Sequence, residues 1–206
     1  MNDPDVPRAG LSTPRAFRCH CGRPVFFRNS QCLGCGAPLG YDPERRRLMP
    51  LEPARREGAW RRFGGGTRSP EFRRCANLES AAGCNWLVER RDANMLCRCC
   101  RLTRTIPDLS VPDNALWWGR VEAAKRRLVS SLIGLALPVR SKVSEDPARG
   151  LAFDLLRSPP GGPAVMTGHD EGVITLDIEE AEDATREHRR VSLHEPYRTL
   201  LGHLRH

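Results

Sequence analysis

Eight of the nine cysteines fall into two sets of four, Cys19, Cys21, Cys32, Cys35 and Cys75, Cys84, Cys97, Cys100, and each set closes with a Cys-x-x-Cys pair. Such a turn aims two thiolates at one point about 2.3 Å from each sulfur, and a second pair completes the tetrahedron that Zn²⁺ accepts. The spacing therefore predicts two structural zinc ions. In the first set, Cys32-Leu33-Gly34-Cys35-Gly36 is a knuckle whose last glycine lets backbone amides turn toward sulfur, whereas Cys19-His20-Cys21 is one residue shorter than the usual spacing. His20 could replace one cysteine as a ligand, although four thiolates are already present. In the second set Cys99, inside the closing turn, could compete as a ligand, although the Cys97/Cys100 spacing matches the knuckle and favours Cys99 as the spare thiol.

The other residues able to hold metal or protons are scattered. His203 and His206 share a helical face at i, i+3, but two exposed imidazoles compete poorly for a metal without further ligands. His169, His188 and His194 are isolated and read as surface or structural residues. Glu179, Glu180 and Asp183 read as acids gathered at the N-terminus of a helix, where its dipole favours them.

Composition limits what these residues can be built on. A chain of 206 residues with 39% hydrophobic content suits several small units better than one compact core, and small units need a staple. The N-terminus has neither a basic nor an apolar signal region, and no run approaches eighteen apolar residues, so the expectation is a cytoplasmic chain that does not meet a membrane. Its thiols are then reduced and open to metal; a disulfide framework also fits an odd cysteine count badly. The net charge of +8 is unevenly spread: ten Arg face four Glu between Glu44 and Arg74, and nine acids face five Arg between Val165 and His206.

The elements follow from the same rows. Residues 1–16 are Pro-rich and polar and read as a disordered tail. Residues 17–43 hold the first cysteine set, with a short strand at Pro24–Phe27, and form a zinc-ribbon. Residues 44–72 carry three arginine clusters and Gly64-Gly65-Gly66 and read as a mobile connector. Trp60, Phe63 and Phe72 among those arginines suit stacking of nucleic-acid bases, or else docking on a neighbouring module. Residues 73–106 form a second four-Cys module in which Trp86, Leu87 and Val88 make a strand over the metal. From 107 to 206 the pattern predicts a mixed domain. A helix runs from a cap at Asp113 to about Leu135, with an apolar stripe of Trp117, Val121, Ala124, Leu128 and Leu132. Strands follow at 151–156 and 172–178, a loop at 158–163, and helices at 179–190 and from Pro196 onward.

The run from Cys19 to Tyr41, with Cys84-Asn85-Trp86, Ile106-Pro107-Asp108, Trp117-Trp118, Thr167-Gly168-His169 and Glu195-Pro196-Tyr197-Arg198 to His206, resembles the zinc-binding metallopeptidase family that begins with a zinc-ribbon. The resemblance covers nearly all of the chain after residue 16. It implies that His206 is the first histidine of a His-Glu-x-x-His zincin motif, in which two histidines hold zinc and the glutamate activates water. The glutamate, the second histidine and a later ligand are not in this sequence, and the chain stops in mid-helix. The expected fold is thus small zinc-ribbon modules followed by an incomplete α+β zincin-like domain. Hydrolysis of a peptide or amide bond is expected of longer relatives, and a C-terminal complementing segment is expected as the partner of this chain. The alternative is a non-catalytic zinc-ribbon adaptor that binds nucleic acid or protein through its arginines.

Overall fold

The computed structural model describes Pro14, residues 16–192, His194, Pro196 and residues 199–205. The chain divides into two units, one made of residues up to Cys97 with 130–138, the other of 98–129 with the residues from Val139 onward. Most of the expected N-terminal tail lies outside the described residues.

The first unit opens with an antiparallel pair, β1 (Ala16–Arg18) and β2 (Pro24–Phe26). Five further strands form one antiparallel sheet in chain order: β3 (Leu39–Asp42), β4 (Arg47–Pro53), β5 (Trp60–Arg62), β6 (Phe72–Arg74) and β7 (Leu87–Glu89). This corrects the reading of 44–72 as a mobile connector. Within that stretch Leu48, Met49, Leu51 and Phe72 are buried, and Trp60 packs on the cluster of Met49, Leu51, Phe72 and Leu87. The arginines dominate its composition, but its apolar residues fall where strand pairing turns them inward, and burial rather than charge decides the state. Arg61 of β5 pairs with Glu52 of β4 at 2.7 Å, directly opposite in register. The expected strand at Leu87 and Val88 is β7.

An aromatic core runs from the first cysteine set to the neighbour of Cys84 inside this unit. Tyr41 is fully buried, with ring centroids 4.7 Å from Phe27 and 5.0 Å from Trp86. Asn85, next to Cys84, donates from Nδ2 to the carbonyls of Phe27 at 2.8 Å and Asn29 at 2.9 Å. Gly40 lies between these layers: a Cβ there would meet Leu87 Cδ2 at 2.5 Å and Leu51 Cδ1 at 2.9 Å, so the close approach requires glycine.

The second unit holds a four-stranded sheet in the order β10 (Gly168–Asp170), β11 (Val173–Asp177), β9 (Ala152–Leu156), β8 (Thr103–Thr105). The β8, β9 and β11 strands run parallel, and β10 pairs antiparallel with β11. Parallel neighbours need a long crossover, and between β8 and β9 it contains α1 (Asn114–Gly134), of which residues up to Val129 belong to this unit. The α1, β9 and β11 elements lie where the periodicity places them.

The buried face of α1 is a correction. Of the expected stripe only Val121 is buried; the buried set is Trp118, Val121, Glu122, Lys125, Arg126, Val129 and Ser130. Charge pairing explains the rotation. Lys125 Nζ lies 2.7 Å from Glu122 Oε1, both groups bond the hydroxyl of Thr103 on β8, and the ammonium sits 5.3 Å from the centre of the Phe153 ring on β9. A neutralised, hydrogen-bonded pair can enter a core that either charge alone could not.

The helix expected over 179–190 is a 3₁₀ turn at Ile178–Ala181 followed by α2 (Asp183–Ser192). Residues near the end form α3 (Leu200–Arg205). Among the described residues no helix is long and apolar enough to cross a membrane.

Candidate metal centres

The spacing brings together the sulfurs it was expected to. Cys19, Cys21, Cys32 and Cys35 have their Sγ atoms within 4.8 Å of one another, and so have Cys75, Cys84, Cys97 and Cys100. Within the sets, Cys19–Cys35 is 3.6 Å, Cys21–Cys32 3.8 Å and Cys84–Cys97 3.6 Å. A tetrahedron of sulfurs about 2.3 Å from a central ion has edges of about 3.8 Å, so the donor sets fit zinc in chemistry and in size. No disulfide joins them.

Local backbone explains how the short first turn still works. The Gly22 N–H donates to the Cys19 carbonyl at 2.9 Å, and Gly22 takes φ 82°, a left-handed conformation that closes the turn after one intervening residue instead of two. The second turn closes with Gly36 N–H on the Cys32 carbonyl at 2.8 Å. His20 is not among the four converging ligands. Its Nδ1 lies 3.6 Å from Cys19 Sγ and its Nε2 3.9 Å from Cys35 Sγ, and its ring stacks on Phe63 at 3.9 Å. Phe63 stacks on His20 of the first ribbon yet stays exposed, whereas Phe72 is buried and Trp60 packs on the sheet core.

The thiols of the first set differ before metal arrives. Backbone N–H groups of Cys35 and Gly34 stabilise the Cys32 thiolate and draw its pKa down to about 6, while burial pushes Cys19 up to about 12. Cys32 is the thiol that loses its proton first and meets an incoming cation as an anion. In the second set all four cysteines are buried, and the Cys97 N–H donates to Cys75 Sγ at 3.3 Å. Cys99 stays outside the four converging sulfurs and is fully buried, its thiol pushed well up by desolvation.

His206 lies outside the described residues. His203, one turn before it, is described, and it faces Glu180: Nε2 to Oε2 is 3.1 Å. Reading Glu179, Glu180 and Asp183 as one acid cluster on a helix dipole is therefore too simple. Glu180 is buried in the 3₁₀ turn, and Thr167 donates its hydroxyl to Oε1. Glu179 accepts from Arg157 and Arg189, each at 3.3 Å, and Asp183, the first residue of α2, pairs with Arg186. No local pattern marks Glu180 and His203 as a pair, because more than twenty residues separate them. His169 is exposed on β10.

Residues 16–111 match the sequence family described as a zinc-ribbon domain, and residues 114–206 match the family described as "Putative zinc-binding metallo-peptidase". These are the two parts of the family that the sequence resembles. Uncharacterized proteins of Mycobacterium bovis and of Mycobacterium tuberculosis are each 41% identical over 193 residues, which is 93% of this chain and 51% of theirs. The chain thus spans about half the length of the curated relatives it matches. No solved structure gives a significant match.

Proposed function

Since this chain joins a two-cluster zinc-ribbon domain to a stretch matched to the zinc-binding metallo-peptidase family, we propose that it is the zinc-ribbon-bearing part of a metal-dependent hydrolase of peptide or amide bonds. The observation that supports this reading most is the family match over 114–206, whose last described element, α3, leads directly into His206. A zincin centre needs three protein ligands, an open position and a general base. Of these the sequence supplies His206; the glutamate and second histidine of the motif do not occur after it. Among the described residues only the two cysteine sets gather as possible metal ligands. A further segment that brings the base and the remaining ligands is the proposed partner of these residues.

The two zinc ions of the ribbon have a separate role. Closed sets of four thiolates leave no position for water or substrate, so they hold structure, and catalysis is not theirs.

The test is a chain extended to the length of the relatives. Peptidase activity that a chelator abolishes and added zinc restores is the expected result, with none from residues 1–206 alone. An extended, folded, zinc-loaded protein that hydrolyses no peptide or amide would overturn the reading.

A second reading rests on charge. Between Ala16 and Cys97 the sequence holds fifteen Arg and no Lys against eight acids. That excess supports a docking role for the ribbon toward an anionic partner such as nucleic acid. The packing of Trp60 and Phe72 into the sheet core weakens the base-stacking half of that argument. A mobility shift at low salt that disappears on neutralising Arg55, Arg56 and Arg62 would favour it, and unchanged mobility would remove it.

A further inference from the structure

Beside α3 lies a cavity of about 230 Å³, walled by Ala164, Val165 and Met166 and, on its polar side, by Thr167, Glu180 and His203. Of the Glu180 carboxylate only Oε1 makes a hydrogen bond; Oε2 is buried without one, and the His203 ring stands beside it. Thr167 donates its hydroxyl to Oε1 while accepting the Asp177 N–H at 3.2 Å, and Oε2 lies 3.1 Å from Nε2 of His203. Glu180 is 6% exposed, so its charge has given up nearly all its water and these partners must replace it. Arg189 of α2 stands 3.6 Å from Oε1 and also bonds Asp177 at 2.8 Å and Glu179 at 3.3 Å, which fixes the acid side of the contact in one geometry.

The other end of the contact needs it. The α3 helix has six residues, none of them buried, and a helix of that length is not stable in water by itself. Thr199 caps it, accepting the Gly202 N–H on Oγ1 at 3.1 Å, but a cap does not decide where a helix sits. Contact with a buried, immobilised carboxylate does. His206 follows His203 by three residues in the sequence.

We propose that Glu180 is a positioning residue: by holding His203 it sets the place of α3, the helix that precedes His206 in the sequence. Its consequence for catalysis rests on the metallopeptidase reading, whereas the anchoring of α3 does not.

Hydrogen exchange at the amides of 200–205 in the zinc-loaded 206-residue chain tests the anchor. Glu180→Ala should lower protection there about tenfold or more, as loss of the contact that fixes the helix does. His203→Ala should match it, and the double variant should lose no more than either alone. His203→Gln places an amide nitrogen where Nε2 stands and should keep protection within about threefold of the parent, which mere loss of ring packing would not allow. Two zinc equivalents per chain must persist in every variant, as evidence that the ribbon is folded. Unchanged protection in Glu180→Ala overturns the proposal, as does a His203→Gln variant that behaves like His203→Ala. In the extended chain, Glu180→Ala should lower kcat with KM little changed; an extended chain that hydrolyses nothing while α3 still depends on Glu180 sinks the functional reading and leaves the anchor standing.

Discussion

Lys125 and Glu122 show how much one pair of side chains can decide. Both are withdrawn from water, and each is tolerable there because the other and Thr103 are present. Lys125→Met leaves Glu122 buried without its cation and should cost about 3–5 kcal/mol, whereas Lys125→Met with Glu122→Leu should recover most of that loss. Chemical denaturation of the three proteins checks it; a double variant as unstable as the single would show that the pair is not what carries the cost. The cysteines lie at the opposite extreme of legibility. Their roles were readable because metal ligation depends on residue type and short spacing, and even Cys99 was separable from its neighbours by spacing alone. Glu180 and His203 were not readable, since a contact between distant residues leaves no trace in either one's neighbourhood.

Among the elements, the parallel pair β8–β9 is held by side chains as well as by backbone. Arg104 on β8 makes two bonds to Asp154 on β9, and Thr105 donates its hydroxyl to the same carboxylate at 2.8 Å. The Arg104 guanidinium foremost, with Thr105, holds the Asp154 carboxyl below the ordinary aspartate range despite partial burial. A carboxyl with a depressed folded pKa stabilises the native state above its unfolded value and loses that contribution as pH falls through the folded one. Asp154→Asn should therefore lower the melting temperature at pH 7, and the difference from the parent should shrink once the pH drops below about 4. Equal melting temperatures at neutral pH would show that the clamp is idle. Elements with strong periodicity, α1, β9 and β11, were legible from the sequence. The strands of residues 44–72 were obscured because arginine is the commonest residue there, and a reading weighted by charge sees a connector where pairing with β3 and β7 makes a sheet.

For the whole molecule, zinc is the largest single contribution that can be removed by solution conditions. Structural zinc in small modules is worth on the order of 10 kcal/mol at neutral pH, as much as the entire margin of a small domain. Two equivalents should be found per chain. Cys84→Ser should lose one of them, and a strong chelator should unfold the sheet of β3 to β7, followed by circular dichroism and metal analysis. Retention of that sheet after complete zinc removal would mean that its apolar core is sufficient alone. What the sequence determined by itself is local: the two sets of thiolates, the main helix and strands of the second unit, and the family these motifs resemble, all set by residue type and by spacings of a few positions. Only the tertiary structure decided which face of α1 turns inward, that the arginine-rich stretch is sheet, and that Glu180 grips the helix before His206, because burial, charge neutralisation and long-range pairing depend on partners that the chain brings together only when it folds.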